Sequence, residues 1–214
     1  MSPRHSAAEA NRTRDRIIER SVDLASLEGL EGLTIGRLAT DLGMSKSGVL
    51  GHFGTKEALQ VAAMRRAAEV FDREVWRPAV AAAPGLPRLR AVCAAWISYL
   101  ERDVFPGGCL FVSVTFEYDG RTGPVHALIK RQFHVWALRL TAEIRRAVHA
   151  GDLPAGTDPA QLVFELYGVM MSLNHTIQLN GDRAAAARAH RATDRLLGFA
   201  PAGTPLAGAA PAQG

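Results

Sequence analysis

Between residues 34 and 60 the chain reads TIGRLATDLGMSKSGVLGHFGTKEALQ. Within it Ser45, Lys46, Ser47, Gly48, Gly51 and His52 stand close together, with no acidic residue among them. Hydroxyls, an ammonium and an imidazole on one short segment can donate to phosphate oxygens and to base edges, and the glycines allow a close approach. Thr34 and Lys56 fall at two expected helix starts, where unpaired backbone N–H groups favour phosphate. The chemistry implied is polyanion recognition.

Several elements must position these groups. Thr34 caps a short helix that Gly43 ends, and Ser45 caps a second running to about residue 52. Two helices joined by a tight Gly-containing turn make a helix-turn-helix unit. Such helices are too short to persist alone. They would lean on a preceding amphipathic helix over residues 9–28 through Ile35, Leu38, Ala39, Leu42, Met44, Val49 and Phe53. The second helix is then free to offer its N-terminal residues to a major groove. Two core helices with a polar rim would give the same spacing.

The segment GMSKSGVLGHFGTKEAL resembles the DNA-binding signature of the TetR (tetracycline repressor) family of bacterial transcriptional regulators, with Thr34, Leu38-Ala39, Gly43-Met44-Ser45, His52-Phe53 and Lys56-Glu57-Ala58-Leu59 matching. Leu50 and Gly51 depart from it. The family commonly has an aromatic pair there, the first usually a tyrosine that touches the DNA backbone. The resemblance therefore implies one phosphate contact fewer than the family usually makes, worth about 1 kcal/mol. The resemblance implies an all-α, nine-helix architecture and a homodimeric repressor that a small molecule releases from a palindromic operator. Residues 1–54 would bind double-stranded DNA and residues 55–199 would sense the ligand and dimerise.

Composition agrees with an all-α chain. Ala, Leu and Arg are the commonest of the 214 residues and hydrophobic residues make up 48% of them, enough for a core. The net charge of +4 is not concentrated near the helix pair, since residues 1–66 hold ten Lys/Arg against eight Asp/Glu. Nucleic-acid binding therefore rests on local placement and not on total charge. Two cysteines, no apolar leader and no uninterrupted apolar span make a cytoplasmic protein without disulfides or membrane contact the expectation. Phosphate-cradling loops, His-Glu-x-x-His, Cys-x-x-Cys and nucleophile motifs are missing, so neither an enzyme nor a cofactor or metal is expected.

Residues 1–8 read as a loose tail, and a long helix from Thr55 is expected to end before Pro78. Further helices are expected over residues 88–103, 109–118 and 125–148, the last on the spacing of Val125, Ile129, Phe133, Trp136, Leu140 and Ile144. Residues 161–179 and 182–197 form two helices around an Asn180-Gly181 turn. The first is apolar beyond one face, which suits a second copy packing against residues 161–197. The Pro/Gly/Ala-rich residues 200–214 are expected to be a disordered tail.

A pocket for a small apolar or amphipathic ligand would draw on Trp96, Tyr99, Phe105, Phe116, Phe133, Trp136, Tyr167 and Met170, with Asn174 and His175 supplying polarity. Core packing would explain each aromatic as well, and a hydrogen-bonded interior role would explain Asn174 and His175. FPGGCLF followed by EYDGRTGPV also resembles a segment of one subgroup of the family, but implies no particular ligand. Cys109 falls at a helix start, where a thiolate is favoured. A thiol-oxidation switch is thus one alternative reading. An all-α small-molecule-binding protein without DNA binding is another.

Overall fold

The computed structural model describes residues 3–198, so the tail expected over residues 200–214 lies outside the described residues. Nine helices run through them: α1 (Pro3–Gly32), α2 (Ile35–Leu42), α3 (Lys46–Phe53), α4 (Lys56–Phe71, extended below), α5 (Leu86–Glu101), α6 (Leu110–Tyr118), α7 (Pro124–Ala150), α8 (Pro159–Asn180) and α9 (Ala185–Leu196). The chain is all-α, as its composition implies.

The boundaries follow local chemistry. Thr34, Ser45 and Thr55 each cap a helix by accepting the backbone N–H three residues on, at 3.2, 3.0 and 3.0 Å. Gly43, Gly151 and Gly181 close α2, α7 and α8 in the left-handed conformation.

Two boundaries differ from the sequence expectation. α1 starts at Pro3 rather than near residue 9, and Gly29 (φ 75°) kinks it before Gly32. α4 does not stop before Pro78. It continues through a π-helical stretch, Asp72–Trp76, into a last turn, Arg77–Ala79. The wider π ladder accommodates a proline that an α ladder would reject.

α1 packs along α4 and also reaches α6, while α2 and α3 pack on each other and on α1 and α4 respectively. α5 lies at the centre of the body, against the end of α4 and against α7, α8 and α9. The break before α5 is held by Glu143, which is 2% exposed. Its carboxylate accepts Gly85 N at 2.8 Å and pairs with Arg88 at 3.3 Å and Arg146 at 2.5 Å. A buried carboxylate is stable only when so surrounded. Among the described residues no helix is long and apolar enough to cross a membrane.

Candidate nucleic-acid interface and ligand cavity

The helix pair is built from a dry underside and a polar outer face. Leu38 and Val49, one from each helix, are fully buried, as are Leu33 just before α2 and Leu59 on α4. Each such side chain contributes about 1.5–3 kcal/mol of burial. Arg20 of α1 and Arg37 of α2 both bind Asp41, at 3.0 and 3.2 Å, which fastens α2 to α1. The hydrogen bonds from Arg20 hold the Asp41 carboxyl below the usual range.

On the outer face Ser45, Lys46, Ser47 and Gly51 are exposed, while Gly48 and His52 are half-buried. Ser45 Oγ is shared between Gly48 N and Ser47 Oγ (3.1 Å). The Lys46 stem lies against Gly36, where an added Cβ would stand 3.2 Å from Lys46 Cε. An added Cβ at Gly51 would meet nothing within 4 Å, so its bareness is a property of the surface and not a packing need. Thr34 is also exposed. The structure thus gathers these seven residues around α3 and the start of α2.

Lys56 is turned elsewhere. Its Nζ donates to the Glu31 backbone oxygen at 3.0 Å and lies 3.4 Å from the Glu31 carboxylate. The same carboxylate accepts from Arg121 at 2.6 Å and Tyr118 Oη at 3.4 Å, and chiefly the Arg121 bond holds its pKa below 4.5. One turn back, Glu117 accepts Leu30 N at 2.9 Å and Glu31 N at 2.6 Å. Gly29 is required here: its φ is +75° and a Cβ would stand 2.8 Å from the Glu117 carboxylate. The C-terminal end of α6 therefore grips the end of α1 and, through it, Lys56. Sequence reasoning missed Glu31, Glu117 and Arg121 because the partners lie 25 to 90 residues apart.

The other end of α6 borders a cavity of about 400 Å³ between α4, α5, α7 and α8. Trp96, Phe133, Trp136 and Tyr167 line it, as do Phe71, Phe111, Val112 and Cys109. The rings meet edge to face, with Trp96 and Trp136 centroids 5.4 Å apart, Trp96 and Tyr167 5.5 Å, and Phe71 and Trp136 4.9 Å. The indole N–H groups of Trp96 and Trp136 are buried without a hydrogen-bond partner. Charged side chains at the mouth include Arg65, Asp72 and Arg139, with Arg139 stacked over Trp76 at 5.0 Å.

The remaining expected pocket residues fall outside the lining. Tyr99 and Phe105 pack behind the wall, Tyr99 edge-on to Phe71 at 5.4 Å. Met170 is buried in the core. Asn174 is 5% exposed and accepts Cys109 N at 2.9 Å, which fixes the start of α6. Phe116, at 66% exposure, and His175 both face outward, because helical periodicity alone cannot say which stripe meets the core. Cys109 is 1% exposed, and burial pushes its thiol up despite nearby backbone N–H groups. That removes the thiolate on which the thiol-oxidation reading depended. Arg65, Phe71, Asp72 and Arg139 were missed, since periodicity assigns a residue to a face of its helix but does not say which turns of that face border a cavity.

Comparisons with known proteins agree with this architecture. Residues 17–63 match the bacterial regulatory proteins of the tetR family, and residues 85–193 match the tetracyclin repressor-like C-terminal domain. No curated protein matches. Among solved structures, a TetR transcriptional regulator from Chloroflexus aurantiacus superposes with a TM-score of 0.81 at 20% identity, covering 87% of this chain and 96% of its own. A TetR-family regulator from Cytophaga hutchinsonii gives 0.75 at 20% identity over 88% and 94%. AibR, solved in complex with isovaleryl coenzyme A and operator DNA, gives 0.69 at 22% identity over 86% and 96%. At these identities the likeness establishes the fold. The two matched segments together establish more: the chain belongs to the TetR family and is a DNA-binding transcriptional regulator.

Proposed function

We propose that the protein is a homodimeric repressor, released from a palindromic operator when a small molecule occupies the aromatic cavity. The observation that carries the DNA side is the outer face of α3: Ser45, Lys46 and Ser47 stand exposed above a dry aliphatic underside, with no acid on the helix. Residues 1–54 serve as the DNA-binding unit and residues 55–199 as the sensing and dimerising unit. Lys46, Ser47 and His52 carry base reading, with Thr34, Ser45, Gly48 and Gly51 permitting close approach to the backbone.

Pairing of two copies through α8 and α9 is supported by an outward stripe on α8. Phe164 and Leu179 are 73% and 69% exposed on it, and Gly168 and Ser172 between them are small. Two such faces make a twofold four-helix interface and set the separation of the two α3 helices. Occupation of the cavity acts on α6, whose first turn borders it and whose last turn grips the end of α1. A ligand releases DNA to the extent that it favours the α6 position with the wrong α3 spacing.

Footprinting on the DNA upstream of the protein's own gene tests this reading. It should show a palindromic protection whose affinity falls steeply with salt. Lys46→Ala should leave the fold intact, weaken operator binding and relax the discrimination between the operator and a mutated site. Failure of the protein to bind any duplex at low salt would end the proposal.

A further inference from the structure

We infer that the cavity accepts an amphipathic anion, an uncharged apolar body among the rings with a carboxylate left at the mouth beside Arg65. This rests on reading the cavity as the effector site and adds the chemistry of the effector.

The interior supplies no countercharge. Its walls are aromatic rings, and its two ionisable groups, the Cys109 thiol and the Tyr167 phenol, are both held neutral by burial. A charge moved among these rings would lose its water and could gain at most two neutral indole N–H donors, with no opposite charge in return. The body of the ligand is therefore uncharged, and any charge stays at the opening.

The mouth has a sign. Its two carboxylates are already taken: Asp72 by Arg139 at 2.6 Å and Arg77 at 3.1 Å, Glu69 by Arg66 at 3.2 Å. Arg65 is exposed, and among the described residues no carboxylate pairs with it. The charge left over is a guanidinium, whose planar fork fits a carboxylate. Aromatic walls would also attract a lipophilic cation, but cation stacking needs open ring faces. Here Trp96 is engaged near right angles by Trp136, Tyr167 and Phe71, and the Arg139 guanidinium already stacks over Trp76 beside the mouth.

The three tryptophans make the test direct. Trp96 and Trp136 line the cavity and Trp76 packs on Trp136 at 5.8 Å, so intrinsic fluorescence of the full chain reports filling. Titration with decanoate, decanol and decylammonium holds the body constant and varies the head. Decanoate should bind about threefold more tightly than decanol, and decylammonium most weakly. Arg65→Glu changes an exposed side chain and should leave decanol affinity and thermal melting as they are. It should weaken decanoate about tenfold, since charge reversal replaces attraction by repulsion. The inference is overturned if decylammonium equals or exceeds decanoate, if acid and alcohol bind alike, or if no probe changes the fluorescence. Anisotropy of an upstream DNA duplex separates the two readings. Binding in the expected order without DNA release keeps the ligand class and breaks the release model. Release by decylammonium and not by decanoate does the reverse.

Discussion

The end of the molecule that faces DNA and the body behind it bury their side chains in opposite ways. Beneath α2 and α3 the fully buried side chains are aliphatic, Leu33, Leu38, Val49 and Leu59, and the phenyl ring of Phe53 is half-buried under Arg14. In the body the wall between α4, α5, α7 and α8 is made of rings set edge to face around open space, with two indole N–H groups unmet. A surface that must match the fixed geometry of a groove needs a rigid support, and close aliphatic packing supplies it. A site that must accept a ligand and respond to it needs space and groups that are not yet satisfied. Between them lies α6, which touches the cavity with its first turn and α1 with its last.

The contrast breaks most readily by truncation. Leu38→Ala removes a fully buried side chain from a core with little else to fill the gap, and should cost about 3 kcal/mol in urea unfolding. Phe133→Ala, at the edge of existing space, should cost clearly less. Equal costs would mean that the two regions are packed alike.

The connection between the regions should show a smaller effect. Glu117→Gln weakens two hydrogen bonds to the end of α1, for a loss of about 1 kcal/mol. Operator binding should weaken while filling of the cavity, followed by tryptophan fluorescence, stays unchanged. A variant that binds DNA like the parent would remove α6 from the route.

The smallest effect is one of pH. The folded state holds Glu31 below its ordinary value of 4.5, chiefly through Arg121. The unfolded chain therefore binds the extra proton first, so this stabilisation is present above pH 4.5 and lost as pH falls through the depressed value. Glu31→Gln should melt lower than the parent at neutral pH, and the two should converge in acid. Parallel curves at all pH values would show that the cluster at the end of α1 contributes nothing.

Much of the fold was legible in the residues because it depends on neighbours in sequence. The caps at Thr34, Ser45 and Thr55 and the closing glycines at 43, 151 and 181 each act within a few residues. The π stretch before Pro78 was not legible, since a proline alone says that a helix is disturbed and not how it recovers. At the DNA face, seven of eight expected residues lie together. Lys56 is drawn to Glu31, an attraction across 25 residues that local spacing cannot register. In the body, Phe116 and His175 turned outward and Asn174 turned to the backbone of Cys109.

By itself the sequence determined the all-α class, the order and ends of most helices, and the polar, acid-free surface of α3. Capping, helical period and glycine freedom act over one or two turns, and the chain states them residue by residue. Only the tertiary structure decided which aromatic rings enclose a cavity, which carboxylates at its mouth are already neutralised, and that α6 joins the cavity to the end of α1. Those outcomes depend on which faces of distant helices meet, and that choice is made by the packing of the whole core at once.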